Sequence, residues 1–261
     1  MNKEQLNGFK AWLDKFVAGF YGDDEYINAN IKLKQDHSAR VCAEMLYLAD
    51  ELRLSDNQRL LAETIALFHD VGRFLQFARY RTYSDPKSIN HCLLGLEILQ
   101  KENVLVQLPD DERQVIEAAI RYHGEKELPG NLTGDTLPFS KMIRDADKLD
   151  IFNVIINAYI RYRNDPDNSK LEIGFPDEPG FTPEVLDTIL TGDRVDYKAL
   201  RKLNDLKLCV LGWVYDVNFA PTFRRLKQRR YLETIFEFLP DTPDIHKVRE
   251  KIFAYIDSRI K

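Results

Sequence analysis

IALFHDVGR, residues 65–73, runs an apolar helical stripe directly into a histidine and an aspartate. Leu61, Ile65, Phe68 and His69 keep the i, i+3, i+4 spacing of one helix face, so the pair stands on an inward surface. Ser55 reads as the N-cap of this helix, with Gln58 completing a capping box. Neighbouring residues on a helix diverge by about 100°. His69 and Asp70 can therefore reach one centre only at a helix end where the backbone turns, and Gly72 reads as the stop that permits it.

Outward from this stretch the helical period continues on both sides, and no run of alternating strand pattern interrupts it. Residues 4–20 carry Phe9, Trp12, Leu13, Phe16 and Phe20 on one side. A helix from Leu33 to Arg53 faces inward with His37, Val41, Met45, Leu48 and Leu52. Phe74 to Asn90 breaks the pattern and reads as a loop rich in Arg and Tyr, either a solvated connection or the lining of an anion pocket. The next helix shows His91, Leu94, Gly95 and Ile98, and Gly95 leaves room for close backbone approach. Pro109 and Asp110 open another, with Ile116, Ala119, Ile120 and His123 in line.

A loop from His123 to Lys141, punctuated by Gly and Pro, leads to a helix whose inward face reads Ile143, Asp147, Ile151, Val154 and Ala158. Residues 163–184, with Pro166, Pro176, Pro179 and Pro183, read as an irregular excursion. Helices over roughly 183–191, 196–219, 221–239 and 244–259 complete the bundle. The fold class expected is all-α, one domain over 1–261, with a metal-binding core at about 33–160 and a C-terminal helical extension at about 183–261.

Composition narrows the function. A chain of 261 residues with 44% hydrophobic and 30% charged residues is that of an ordinary globular protein. Its net charge of -5 speaks against a stable nucleic-acid partner, and the basic cluster Arg224, Arg225, Lys227, Arg229, Arg230 reads as a solvated helix face. The charged N-terminus lacks the apolar core of a signal peptide and no stretch is apolar enough to span a membrane, so the expected location is cytoplasmic, without a membrane partner. Cys42, Cys92 and Cys209 are too widely spaced for a disulfide framework or a CxxC site and read as small core residues.

The five histidines are few, and their positions carry the argument. His37, His69, His91 and His123 fall on the inward faces of four successive helices, near their ends, and Asp147 does the same on the fifth. An ionised carboxylate among apolar neighbours is costly unless it is paired or coordinates a metal. Imidazoles and carboxylates converging from separate helices suit one or two divalent ions, and four imidazoles favour Mn, Fe, Ni or Co over Mg.

The ordered pattern His37, His69-Asp70, Asp147 resembles the HD-domain superfamily of metal-dependent phosphohydrolases over roughly Leu33 to Tyr159. His91 with Gly95 and Leu99, and His123 after AAIRY, are similar to the two extra histidines of the binuclear subgroups, which include the HD-GYP cyclic-dinucleotide phosphodiesterases. The resemblance implies an HD-type bundle with additional C-terminal helices. It implies His37, His69, Asp70 and Asp147 on one metal, with Asp70 bridging to a second held by His91 and His123. Asp145 and Asp150 are the alternatives to Asp147 within RDADKLD.

The activity implied is hydrolysis of a phosphoester of a nucleotide or another small phosphorylated metabolite, the metals acidifying a shared water. Asp70 and Arg73 would be the catalytic residues. Arg73 would also clamp the substrate, with Arg79, Arg81 and Lys148 assisting, unless Lys148 only pairs with a nearby aspartate. Arg73 stands where HD-GYP proteins carry a lysine, and HGEKELPG replaces their tandem histidine and GYP loop, so the cyclic-dinucleotide substrate does not carry over. The same six-residue pattern also occurs in HD-fold mixed-valent diiron oxygenases, and a non-catalytic sensor module retaining its metal is the third reading.

Overall fold

The computed structural model describes residues 1–165 and 175–260. These form twelve α-helices: α1 Lys3–Ala18, α2 Glu25–Glu51, α3 Asp56–Phe68, α4 Val71–Tyr80, α5 His91–Lys101, α6 Asp110–Tyr122, α7 Thr136–Asn164, α8 Pro183–Thr191, α9 Leu203–Gly212, α10 Ala220–Gln228, α11 Tyr231–Phe236 and α12 Pro243–Arg259. Short 3-10 turns lie at Asp85–Lys87, Tyr197–Ala199 and Trp213–Asp216, and the described residues contain no strand. The all-α expectation holds. No helix among them is long and apolar enough to cross a membrane. The chain divides into two compact units, residues 1–147 and 148–261.

In the first unit, α2 packs on α3 and α4, α5 on α4 and α6, and α1 on α3. Phe9 of α1 meets Phe68 of α3 edge to face, with ring centroids 5.6 Å apart. Ser55 and Gln58 form the expected capping box at the start of α3. Asn90 caps α5, accepting from the Leu93 amide at 3.0 Å.

Three boundaries differ from the sequence reading. Helix α2 begins eight residues before Leu33, because Asp24 caps it through the Ile27 amide at 3.1 Å and Ile31 supplies a further buried turn. The expected loop at Phe74 is helical as far as Tyr80, since Val71, Phe74 and Phe77 recur every three residues and all are buried. Arg81, in the left-handed region at φ 56°, ends that helix. Gly72 is no stop either. It lies in the first turn of α4, and a Cβ there would meet the His91 carbonyl oxygen at 2.2 Å and the Gly95 amide nitrogen at 2.7 Å. Its role is to let α4 and α5 touch backbone to backbone, and Gly95, read as leaving room for close backbone approach, is the glycine that faces it.

Helix α7 starts at Thr136, inside the segment read as loop. Its buried stripe is Met142, Ile143, Ala146, Leu149, Phe152, Ile156 and Tyr159, whereas Ile151, Val154 and Ala158 are only half-buried. The bulkier phase wins, because Phe152 and Tyr159 bury more apolar surface than Val154 and Ala158.

The second unit packs α8 on α9 and α12, and α11 on α9 and α10. Phe152 meets Trp213 edge to face at 5.7 Å within its core. The two long helices expected here are broken. Residues 196–219 divide into a turn, α9 and a second turn, and residues 221–239 divide at Arg230, which has φ 54°. Every residue of α9 is buried, so its charges need partners. Asp205 accepts from the Thr182 amide and hydroxyl, each at 2.6 Å, and from the Arg201 and Lys202 amides at 2.9 and 3.0 Å. Burial opposes its charge, but these donors more than offset that and lower its pKa. Part of the excursion expected at 163–184, Pro166 included, lies outside the described residues.

Candidate metal centre

The junction of α3 and α4 places the central pair. His69 still has helical torsions, φ -54° and ψ -38°, while Asp70 departs to φ -108° and ψ 16°. The turn expected after the pair is thus made at Asp70 itself. His91 is the first residue of α5 and His123 directly follows α6, as expected of residues near helix ends. His37 and Asp147 are instead interior to α2 and α7, because both helices begin earlier than the apolar stripes suggest.

These six side chains form one cluster within the first unit. The Asp70 carboxylate divides it in two. Its Oδ2 lies 3.4 Å from His37 Nε2 and 3.6 Å from His69 Nε2, while Oδ1 lies 3.5 Å from His91 Nε2 and 3.7 Å from His123 Nε2. Asp147 joins the first group, with Oδ1 3.2 Å from His37 Nε2 and 3.8 Å from His69 Nε2. The four imidazoles are at most 5% exposed, whereas Asp147 is 18% exposed, so the cluster meets solvent on the Asp147 side.

The hydrogen bonds of the outer ring nitrogens decide what the inner ones can do. His69 Nδ1 lies 2.8 Å from the Ala66 carbonyl and His123 Nδ1 2.8 Å from the Ile120 carbonyl. His91 Nδ1 lies 2.7 Å from Asp85 Oδ2. Carbonyl and carboxylate oxygens only accept, so each of these Nδ1 atoms carries a proton and each Nε2 turns toward the centre, where it presents a lone pair when unprotonated.

Yet His37 and His69 bring their Nε2 atoms to 3.3 Å, and His91 and His123 to 3.1 Å. A cation between two unprotonated nitrogens would account for so close an approach. Two nitrogens bound at about 2.1 Å to one ion, at 90–110°, stand about 3.0–3.4 Å apart. The side chains fall into two groups that could hold a metal ion, His37, His69 and Asp70 in one and His91, Cys92 and His123 in the other, with Asp147 beside the first.

The electrostatics distinguish the imidazoles. Burial pushes His69 down to about 4, keeping it neutral. Burial acts upward on Asp70, but the Lys34 ammonium and the surrounding imidazoles outweigh it and hold the carboxyl well below its usual range. Asp147 is likewise lowered against burial, chiefly through His37. Burial opposes charge on His123, yet Cys92 and Asp70 raise its proton affinity, marking a pocket that attracts positive charge.

Several contributors were not singled out from sequence. Asp85 grips His91 with one oxygen, while its Oδ1 accepts from Arg73 at 2.8 Å and from the buried Gln76 at 2.8 Å. The signal was there: an Asp-Pro step six residues ahead of a histidine. Cys92, read as a core residue, has its Sγ 3.4 Å from His91 Nε2 and 3.5 Å from His123 Nδ1. Buried Arg144 donates to the His123 and Lys126 carbonyls, both at 3.2 Å, fixing the chain after α6. Lys34, one turn before His37, brings its Nζ to 2.7 Å from Asp70 Oδ2.

The expected substrate-binding cations are placed as follows. Arg73 Nε is 3.4 Å from Asp70 Oδ1, but its Nη1 is held by Asp85, Gln76 and the Tyr83 carbonyl. Arg79 and Arg81 are exposed, Arg81 facing Asp24 at 3.9 Å. Lys148 pairs with Asp216 at 2.7 Å, within the second unit.

An all-helical core that gathers four imidazoles and two carboxylates makes a helical domain that could hold metal. More specifically, residues 35–151 match the family model of the HD domain, a family that binds divalent metals and includes metal-dependent phosphohydrolases. The match starts just before His37 and ends just after Asp147, so it spans all six residues. No curated protein and no solved structure matches the chain significantly.

Proposed function

We propose that this protein is a binuclear metal-dependent phosphohydrolase acting on a nucleotide or another small phosphorylated metabolite. The observation that carries the reading is the division of Asp70, one oxygen toward His37 and His69 and the other toward His91 and His123, all between 3.4 and 3.7 Å. A carboxylate so placed could bridge two cations, one on each side. A pair of Mn, Fe, Ni or Co ions, when bound, supplies a Lewis acid that activates water and screens charge on phosphoryl oxygens.

The chain's own part is positioning. Backbone carbonyls of Ala66 and Ile120 set the tautomers of His69 and His123, and Asp85 does so for His91. The backbone contact of Gly72 with α5 fixes the spacing between Asp70 and His91. Arg73 acts through Asp85, neutralising the carboxylate that orients His91. Burial of the imidazoles keeps bulk water from competing for their lone pairs.

The test is phosphate release from a panel of nucleotides and sugar phosphates, with the protein loaded in turn with each of the four metals. Release by the wild type and none by Asp70→Asn supports the assignment. Equal background rates from both proteins with every metal defeat it.

A further inference from the structure

We propose that Lys34 is the side chain that binds the anionic phosphoryl group of the substrate. This deepens the phosphohydrolase reading and rests on it. Lys34 lies one residue ahead of the segment matched by the HD-domain family, so that match assigns it nothing.

Four observations converge. First, Lys34 and His37 are three residues apart on α2 and share a face, which delivers the ammonium to the cluster. Its Nζ stands 2.7 Å from Asp70 Oδ2, on the side of the carboxylate that faces His37 and His69.

Second, the head group lies where the cluster meets solvent. The Lys34 side chain is 17% exposed and that of Asp147 is 18% exposed, against 0–5% for the four histidines. An incoming anion meets this edge before it meets the imidazoles.

Third, the ammonium has donors to give. It carries three N–H bonds. Asp70 takes one, and the ammonium's other neighbour is the Tyr83 ring, whose centroid is 5.3 Å away. That ring is itself fixed, donating its hydroxyl to the Asn30 carbonyl at 2.7 Å and stacking on Phe77 at 4.7 Å. The lysine is thus held between Tyr83 and Asp70 with two N–H bonds that meet no acceptor among the described residues. A phosphoryl group offers several acceptor oxygens to such a head group.

Fourth, the other cations considered are engaged or distant. Arg73 has its Nη1 bound by Asp85, Gln76 and the Tyr83 carbonyl, leaving its Nε toward Asp70 at 3.4 Å, Lys148 is paired with Asp216, and Arg79 and Arg81 are solvent-exposed.

The experiment titrates inorganic phosphate into the metal-loaded full chain by calorimetry, for wild type, Lys34→Gln and Lys34→Arg, with elemental analysis of each. Loss of one charge-assisted contact predicts binding about 10–100-fold weaker in Lys34→Gln, with metal content unchanged, and recovery to within about threefold of wild type in Lys34→Arg, which keeps the charge. Unchanged phosphate affinity in Lys34→Gln overturns the proposal. So does a parallel loss of metal in that variant, which makes Lys34 a support for Asp70, and so does failure of the loaded wild type to bind phosphate. Binding is read without turnover, so a protein that binds phosphate through Lys34 but hydrolyses no ester refutes the hydrolase reading while leaving the anion site intact.

Discussion

Gly72→Ala should remove one of the two metal positions and leave the other. A Cβ built on Gly72 stands 2.2 Å from the His91 carbonyl oxygen and 2.7 Å from the Gly95 amide nitrogen, both backbone atoms that cannot rotate away. Ordinary contact is about 3.5 Å, so α4 and α5 must part by more than about 1 Å. Metal–ligand distances tolerate only about 0.2 Å. His91, the first residue of α5, is then carried out of register with Asp70, while His37, His69 and Asp147 stand on α2, α7 and the end of α3, away from the clash.

Overpacking of this kind costs about 1–3 kcal/mol, equivalent to a fall of about 2–12 °C in Tm for a chain of this size. Gly95→Ala is the internal control. Its Cβ meets the Val71 side chain at 3.1 Å and the Gly72 nitrogen at 3.3 Å, a mismatch of a few tenths of an ångström that a small adjustment absorbs. Elemental analysis together with thermal melts should give one metal and a lowered Tm for Gly72→Ala, and two metals for Gly95→Ala. A Gly72→Ala protein that keeps both metals and melts with wild type would refute the reasoning.

Two further outcomes are expected. Asp85→Ala should weaken one metal position by about 10–100-fold and spare the other, seen as one early and one late phase when a chelator strips the protein. Asp205 has a folded pKa below its unfolded value of about 3.9, so its stabilisation is present above that pH and is lost as pH falls through the folded value. Asp205→Asn should then lower stability by about 1–3 kcal/mol near neutrality and unfold in urea with less dependence on pH in the acid range than wild type.

The residues that became ligand candidates were visible in the sequence because burial and polarity conflict there. A histidine or aspartate on a stripe of Ile, Leu and Phe has an innocent explanation when it stands alone, and six of them in order have far fewer. What supports those residues was less visible. Asp85 sits in a stretch of Arg, Tyr, Ser and Pro with no apolar period to say which way it points, and its grip on His91 depends on a 3-10 turn and on Gln76.

Gly72 was noticed for the wrong reason, since sequence shows that a side chain is missing but not which backbone fills the space. The phase of α7 was ambiguous because two stripes run along it, and the larger residues, Phe152 and Tyr159, took the core. Lys34 carried a signal in its spacing from His37, but a lysine on a helix reads as solvated until the carboxylate beside it is known.

The central claim is that Asp70 joins two metal positions, and the metal-to-protein ratio tests it most directly. Wild type, loaded and then freed of excess ion, should carry two metals per chain, and Asp70→Ala should retain neither in stoichiometric amount. A wild-type ratio of one, or two metals persisting in Asp70→Ala, would contradict the account.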